Sequence, residues 1–385
     1  MNAVRSVSRH DVSRPHVHCL SVHASYRCRH SGACCSSGWA IPVEVALYRG
    51  WNDAARAGVI RRDDLPSGLA GLLRTRDDGA CTFFDRSSRL CDIQRAFGHE
   101  QLPASCRQFP RVSLLDPRGV FVTLSHYCPT AADLLFEDTP IRLVVNPPAF
   151  PRDAEYDGLD ARGAFPPLLR PGVLMDWDTL TAWDRFAFDR LDREAHDVDA
   201  ALHDLIAVGE TLRVWTPADG PLAQRLQRII ESPASATARP LSAWRLDGEV
   251  RALTSSSAGP VPAPALDAGE FTEAWTRWIE PEWRTFARPL CRYVAAKLCG
   301  NWCWYQGDGL RTVLRSVAAA LAVVRVEAAR QGRRHGRMLD RSLLRESVRQ
   351  ADLLLVHLSS REALARHWSA AEAFDKGESS DEHED

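Results

Sequence analysis

Cys28-Arg29-His30-Ser31-Gly32-Ala33-Cys34-Cys35 opens a series of thiols that continues at Cys81, Cys91, Cys106 and Cys128, all in the first third of the chain. Cys34 and Cys35 do not comfortably close a disulfide on each other, because a bridge needs its Cα atoms farther apart than chain neighbours stand. The irregular spacing of the remaining thiols reads as ligands gathered from loops around a metal. Thiolates are soft ligands that select zinc, Cu(I) or iron–sulfur clusters, and four are enough for a tetrahedral zinc site or one [4Fe–4S] cubane. Seven cysteines between positions 28 and 128 exceed that need. Small buried hydrophobes do not account for such a density.

The spacing matches neither a zinc ribbon with two C-x2-C knuckles nor the ferredoxin run C-x2-C-x2-C-x3-C-P, so motif grammar leaves the metal open. Around the thiols, Gly, Pro and Asp turn signals dominate residues 26–145, which reads as an irregular metal-binding domain. Within it, Val43, Leu47 and Trp51 share one helical face over Pro42–Ala57. Thr82–Phe84 reads as a short strand. Val112–Leu115 and Val120–Leu124, separated by Asp116-Pro117-Arg118-Gly119, read as a hairpin that sets the Cys106 and Cys128 loops side by side.

The 385 residues exceed a typical single domain, so two domains are expected. Residues 1–25 read as a flexible lead-in rather than a Cu or Zn site built from His16, His18, Cys19 and His23. Residues 146–172 read as a linker. Residues 173–370 read as a helical domain interrupted by a Ser/Pro-rich loop near 232–269, and 371–385 as an acidic disordered tail. The expected fold class is therefore mainly α, an irregular cysteine-rich N-terminal domain with a short hairpin followed by an α-helical C-terminal domain.

A formal net charge of −2 argues against a general nucleic-acid binder. The longest apolar run, Val317–Val324, is far too short to span a membrane, and no apolar signal segment precedes Cys28. A cytoplasmic protein with reduced thiols is the expectation, and there a cysteine cluster points to metal or catalysis rather than disulfides. Cys291, Cys299 and Cys303 read as core cysteines, and Trp275, Trp278 and Trp283 as core rings at helical spacing. His99 and His126 neighbour the thiols in sequence, where they could ligate, shuttle protons or make ordinary local hydrogen bonds. Arg107 and Arg111 flank Cys106, either to offset thiolate charge or as surface residues of an arginine-rich chain.

Cys28-x2-Ser31-x2-Cys34-Cys35, Gly79-Ala80-Cys81-Thr82-Phe83-Phe84, Leu90-Cys91-Asp92-Ile93 and Pro103-Ala104-Ser105-Cys106-Arg107-Gln108-Phe109-Pro110 resemble, in that order, the bacterial family of zinc- or iron-chelating CxxCxxCC domains. Ser31 stands where the signature has its second cysteine, so that ligand is dispensable or a neighbour such as Cys19 or His30 replaces it. Tyr26-x-Cys28, Cys34-Cys35-x2-Gly38-Trp39, Phe109-Pro110-Arg111 and Leu124-Ser125-x2-Cys128-Pro129 resemble the subgroup of flagellin lysine N-methylases. The resemblance covers about residues 26–135. It implies Cys34, Cys35, Cys81, Cys91 and Cys106 as ligands with Cys28 and Cys128 next, an iron–sulfur cluster, S-adenosylmethionine as methyl donor, and flagellin or another protein as substrate. The alternative is a non-catalytic zinc- or iron-chelating protein. No glycine-rich dinucleotide turn, C-x3-C-x2-C triad, P-loop, G-x-S-x-G or H-E-x-x-H is present.

Overall fold

A computed structural model describes residues 14–62, 64–231, 242–254 and 263–370. The acidic tail, the first half of the lead-in and parts of the 232–269 loop lie outside the described residues. The fold is mixed α/β, with 53% helix and 14% strand, and its largest sheet has five strands. This corrects the mainly-α expectation.

The first strand, β1 (Val17–Leu20), lies inside that sheet, so residues 17–25 are not a lead-in. The chain then leaves the sheet for a cysteine-bearing excursion. There β2 (Pro42–Glu44), β3 (Val59–Arg61) and β4 (Leu69–Leu73) pair antiparallel in the order β2-β4-β3, and β5 (Phe84–Asp85) pairs with β6 (Leu90–Cys91). The helix expected over Pro42–Ala57 is instead strand β2 followed by two short helices, Val45–Gly50 and Asp53–Arg56. Val43, Trp51, Val59, Leu73, Phe84, Ile93 and Leu102 make a small core of their own for this unit.

The chain rejoins the main sheet at β7 (Arg111–Asp116) and β8 (Gly119–Leu124), and adds β9 (Leu143–Val145) and β10 (Gly158–Asp160) in the order β10-β7-β8-β1-β9. β1 runs parallel to β8 and antiparallel to β9. The β7–β8 hairpin forms as the sequence expects. Asp116 Oδ1 accepts the Arg118 N–H at 2.8 Å, and Gly119 takes the positive φ of +139° that the tight turn requires. At the open end the Ser125 N–H donates to Pro110 O at 2.7 Å. Residues 146–172 are more than a linker, since β10 and β11 (Leu168–Arg170, paired with β12, Val173–Leu174) lie there and Phe150 and Leu169 enter the main core.

That main core is continuous from Val17 to Trp368 and joins the five-stranded sheet to the helices. The boundary near 145 is therefore misplaced: the self-contained unit spans roughly the 41–106 region, and β7 onward belongs with the helical body. Helices Trp177–Arg193 and Val198–Arg213 start at Asp176 and Asp197, whose carboxylates accept first-turn N–H groups. The central helix, Leu310–His335, packs against Val198–Arg213, Ala243–Ala252, Ala287–Leu298 and Arg341–Asp352, and stops at Gly336 in the left-handed conformation. A helix, Ala243–Ala252, forms inside the stretch read as a Ser/Pro-rich loop. Arg341–Asp352 continues into a π-helical turn, Leu353–Leu358. Among the described residues no helix is long and apolar enough to cross a membrane.

Candidate metal centre

Three segments bring five of the expected ligands into one region of the excursion. The first is the turn Gly32–Ser36, in which the N–H groups of Cys35 and Ser36 both donate to Gly32 O at 3.0 Å. Gly32 sits at φ +75°, and a Cβ there would lie 2.5 Å from Phe84 Cζ, so both conformation and space require glycine. The second is the Cys81–Cys91 ribbon: the Cys81 N–H donates to Cys35 O at 2.7 Å, and Phe84 stands opposite Cys91 in the β5–β6 register. The third is the short helix Ala104–Gln108, which carries Cys106. Its Ala104 N–H donates to Glu44 Oε1 at 2.9 Å, tying it to β2.

Arg107 and Arg111 serve this third segment through backbone contacts. Arg107 donates to Leu102 O at 2.5 Å, and Arg111 donates to Arg107 O at 2.6 Å. They clamp the turn that holds Cys106, a role the alternatives of charge offset and bare surface both missed.

The Sγ atoms of Cys34 and Cys35 are 3.7 Å apart. The hydrogen bond from Cys35 lowers the Cys34 pKa, while that same bond, then burial and the charges of Cys34, Cys91 and Cys81, raise the Cys35 pKa. Burial, with a contribution from the neighbouring Cys91, pushes the Cys81 thiol up to about 11. Cys106 is raised by burial first and then by Cys34, Cys81, Cys91 and Glu44. Apart from Cys34, whose ionisation Cys35 favours, these thiols are opposed in ionising by burial and by their neighbours' charges, as clustered like charges are. A bound cation reverses that relation and draws the same thiols into thiolates.

Cys28 and Cys128 stand to one side around Tyr26. Cys28 is exposed, Cys128 is buried, and Tyr26 Oη lies 3.8 Å from Cys128 Sγ. The charges of Cys34 and Cys128 both contribute to the upward shift of Cys28, after burial. Cys19 does not stand in for the ligand missing at Ser31: it is buried in β1, its Sγ donates to Leu20 O, and burial pushes its pKa up to about 12. Ser31 Oγ accepts the Ala33 N–H within the ligand turn. His30 and His99 are exposed. Cys291, Cys299 and Cys303 are buried in the helical body.

Among the described residues, no group of three or more His, Cys, Asp or Glu side chains stands in metal-holding geometry. The chemistry of the donor set nevertheless fits a thiolate-bound metal. Four sulfurs at zinc bond lengths of ~2.3 Å stand about 3.8 Å apart on a tetrahedron, and the Cys34–Cys35 separation of 3.7 Å suits one edge of it. Cys81, Cys91 and Cys106 are the further thiols close enough for their charges to act on one another or on this pair.

A polar network that sequence reasoning missed joins this unit to the helical body. His357, on the π-helical turn, stacks on Trp39 at 4.3 Å and shares a 2.7 Å hydrogen bond with Ser125 Oγ. Nearby, the buried Asp352 carboxylate accepts from the His126 N–H at 2.6 Å and from Tyr293 Oη at 2.8 Å, and pairs with Lys297 Nζ at 2.5 Å. His126 Nε2 lies 3.2 Å from His23 Nε2. His126 therefore turns to Asp352 rather than to the thiols, and His23, read as part of a tail, is fully buried. The one signal available was a lone lysine, Lys297, in a chain whose other cations before residue 376 are arginines.

No family model matches the chain, and no curated protein or solved structure matches it.

Proposed function

We propose that this chain is a cysteine-cluster metalloprotein in which Cys34, Cys35, Cys81, Cys91 and Cys106 supply the ligands of an iron–sulfur cluster or of zinc. One observation carries the reading: thiols from three separated blocks converge closely enough that the charges of Cys34, Cys81 and Cys91 oppose ionisation of Cys35 and Cys106. Such an arrangement is destabilising for bare thiolates and favourable once a cation is present. Cys28 and Cys128 are the reserve donors.

The motif resemblance extends the proposal to a protein lysine N-methylase acting on flagellin or a similar protein substrate in the cytoplasm. S-adenosylmethionine, when bound, supplies the sulfonium methyl group. The accepting lysine nitrogen must be neutral to attack it, so a desolvating surface near the cluster has to lower that amine's pKa. The second reading, a non-catalytic zinc protein, draws support from the 3.7 Å spacing of Cys34 and Cys35, which suits two thiolates on one ion.

Anaerobic purification followed by metal analysis and electron paramagnetic resonance separates the two. Iron with inorganic sulfide and a visible absorbance band supports the cluster. Stoichiometric zinc in a colourless protein supports the second reading, and protein holding neither metal refutes both.

A further inference from the structure

We propose that the helical body holds a second site, which binds a small monoanionic carboxylate bearing an apolar group. A cavity of about 110 Å³ lies between the end of β8, the Ala287–Leu298 helix, the central helix, the π-helical turn and the last helix, Arg361–Ala370. That is room for a ligand of several heavy atoms. Leu124, Leu355, Leu364 and the ring of Trp302 give it mostly apolar walls.

Two cationic side chains line it, Lys297 and Arg361. Lys297 is already paired with Asp352. Arg361 is stacked over Trp302, its guanidinium carbon 4.0 Å from the ring centroid, and has neither a hydrogen-bond acceptor nor a carboxylate partner among the described residues. Trp302 is itself fixed, since its Nε1 donates to Ser113 O at 3.0 Å. A guanidinium carries five N–H donors in a fixed fork, and those of Arg361 are open to a ligand in the cavity. The remaining polar lining groups are committed elsewhere: the Asn301 amide donates to Lys297 O and Ser316 Oγ, and the Thr123 hydroxyl donates to Ala296 O. Trp368, also in the wall, keeps a buried Nε1–H without an acceptor.

Charge and shape select the ligand. Burial lowers the Arg361 pKa only to about 10, and burial holds the Cys303 thiol up at about 11, so near neutral pH Arg361 is charged and Cys303 is not. Lys297 and Asp352 cancel, which leaves one unmatched positive charge. A monoanion neutralises it, whereas a phosphate dianion would strand a negative charge against apolar walls. A carboxylate also meets the guanidinium fork with two parallel hydrogen bonds, and an alkyl or aryl group behind it fills the remaining space.

The test is calorimetric titration of the full-length protein with benzoate, hexanoate, neutral benzamide and inorganic phosphate. Benzoate or hexanoate is expected to bind saturably at one site, with benzamide and phosphate at least tenfold weaker. Arg361→Gln should weaken the carboxylate at least tenfold while leaving metal content unchanged. Should that variant fail to fold, Ala320→Leu keeps Arg361 and fills the cavity from the central helix, and must abolish binding. Absence of saturable carboxylate binding, equal affinity for phosphate, or undiminished binding in a folded variant overturns the proposal. None of these readouts depends on the identity of the metal.

Discussion

Lys297 Nζ lies 2.5 Å from Asp352 Oδ1, while the other carboxylate oxygen takes the His126 N–H, so one buried aspartate fixes both the central helical body and the end of β8. Removing the charge in Asp352→Asn leaves Lys297 buried and uncompensated. Such a break costs ~3–5 kcal/mol. Urea denaturation should show that loss, and the double variant Asp352→Asn with Lys297→Met should recover most of it; a loss well under 1 kcal/mol would contradict the role given to Asp352.

Two buried histidines and the half-buried His357 set the acid response. Burial lowers the pKa of His357 to about 3, and burial likewise lowers those of His23 and His126. Unfolded histidine titrates near ~6.5. Below that pH the unfolded chain binds more protons than the folded one, so stability falls progressively as pH drops from about 6.5 toward about 3. Asp352 does not contribute in the upper part of that window: burial would raise its pKa, yet Lys297 and then His126 hold it well below the usual carboxylate range. Urea midpoints at pH 7 and pH 5 should therefore differ, and His357→Gln, which retains a partner for Ser125, should shrink the difference.

Ligand substitutions should divide the cysteines by location. Cys34→Ala, Cys81→Ala and Cys106→Ala should each lose bound metal, whereas Cys291→Ala, in the helical core, should retain it. Plasma emission analysis of the purified variants reads this directly, and equal retention in all four removes the assignment.

Gly32→Ala tests the ligand turn without touching a thiol. Its φ of +75° costs a side chain ~1–2 kcal/mol. The new Cβ must also displace the Phe84 ring, which backs the Cys91 strand. Metal retention should drop with the far-ultraviolet circular dichroism unchanged; full retention would mean that the turn tolerates both insults.

What could be read from the residues was what is local. The Asp116–Gly119 turn lies between its own two strands, so a short window contains the complete signal. β1 escaped because four residues carry no measurable periodicity and its partners lie at Val120–Val122 and Leu143–Val145. The contacts of His126 and Ser125 with Asp352 and His357 escaped for the same reason, each spanning more than 200 positions. The thiol blocks were visible as chemistry, but which of them share a neighbourhood depended on the fold of the excursion. Cys19 shows the limit: a cysteine in the right region belongs to a sheet instead.

The placement of β1 also bears on the order of events during synthesis. Both of its neighbours are encoded later, beyond every thiol from Cys28 to Cys106, so the sheet that anchors the excursion cannot close until Leu143 has left the ribosome. At translation speeds of ~5–20 residues per second, that delay is on the order of 6–25 s. The excursion, with a core of its own, is complete before either neighbour emerges, so if its thiols take a metal as proposed they can do so before the sheet that anchors them has closed.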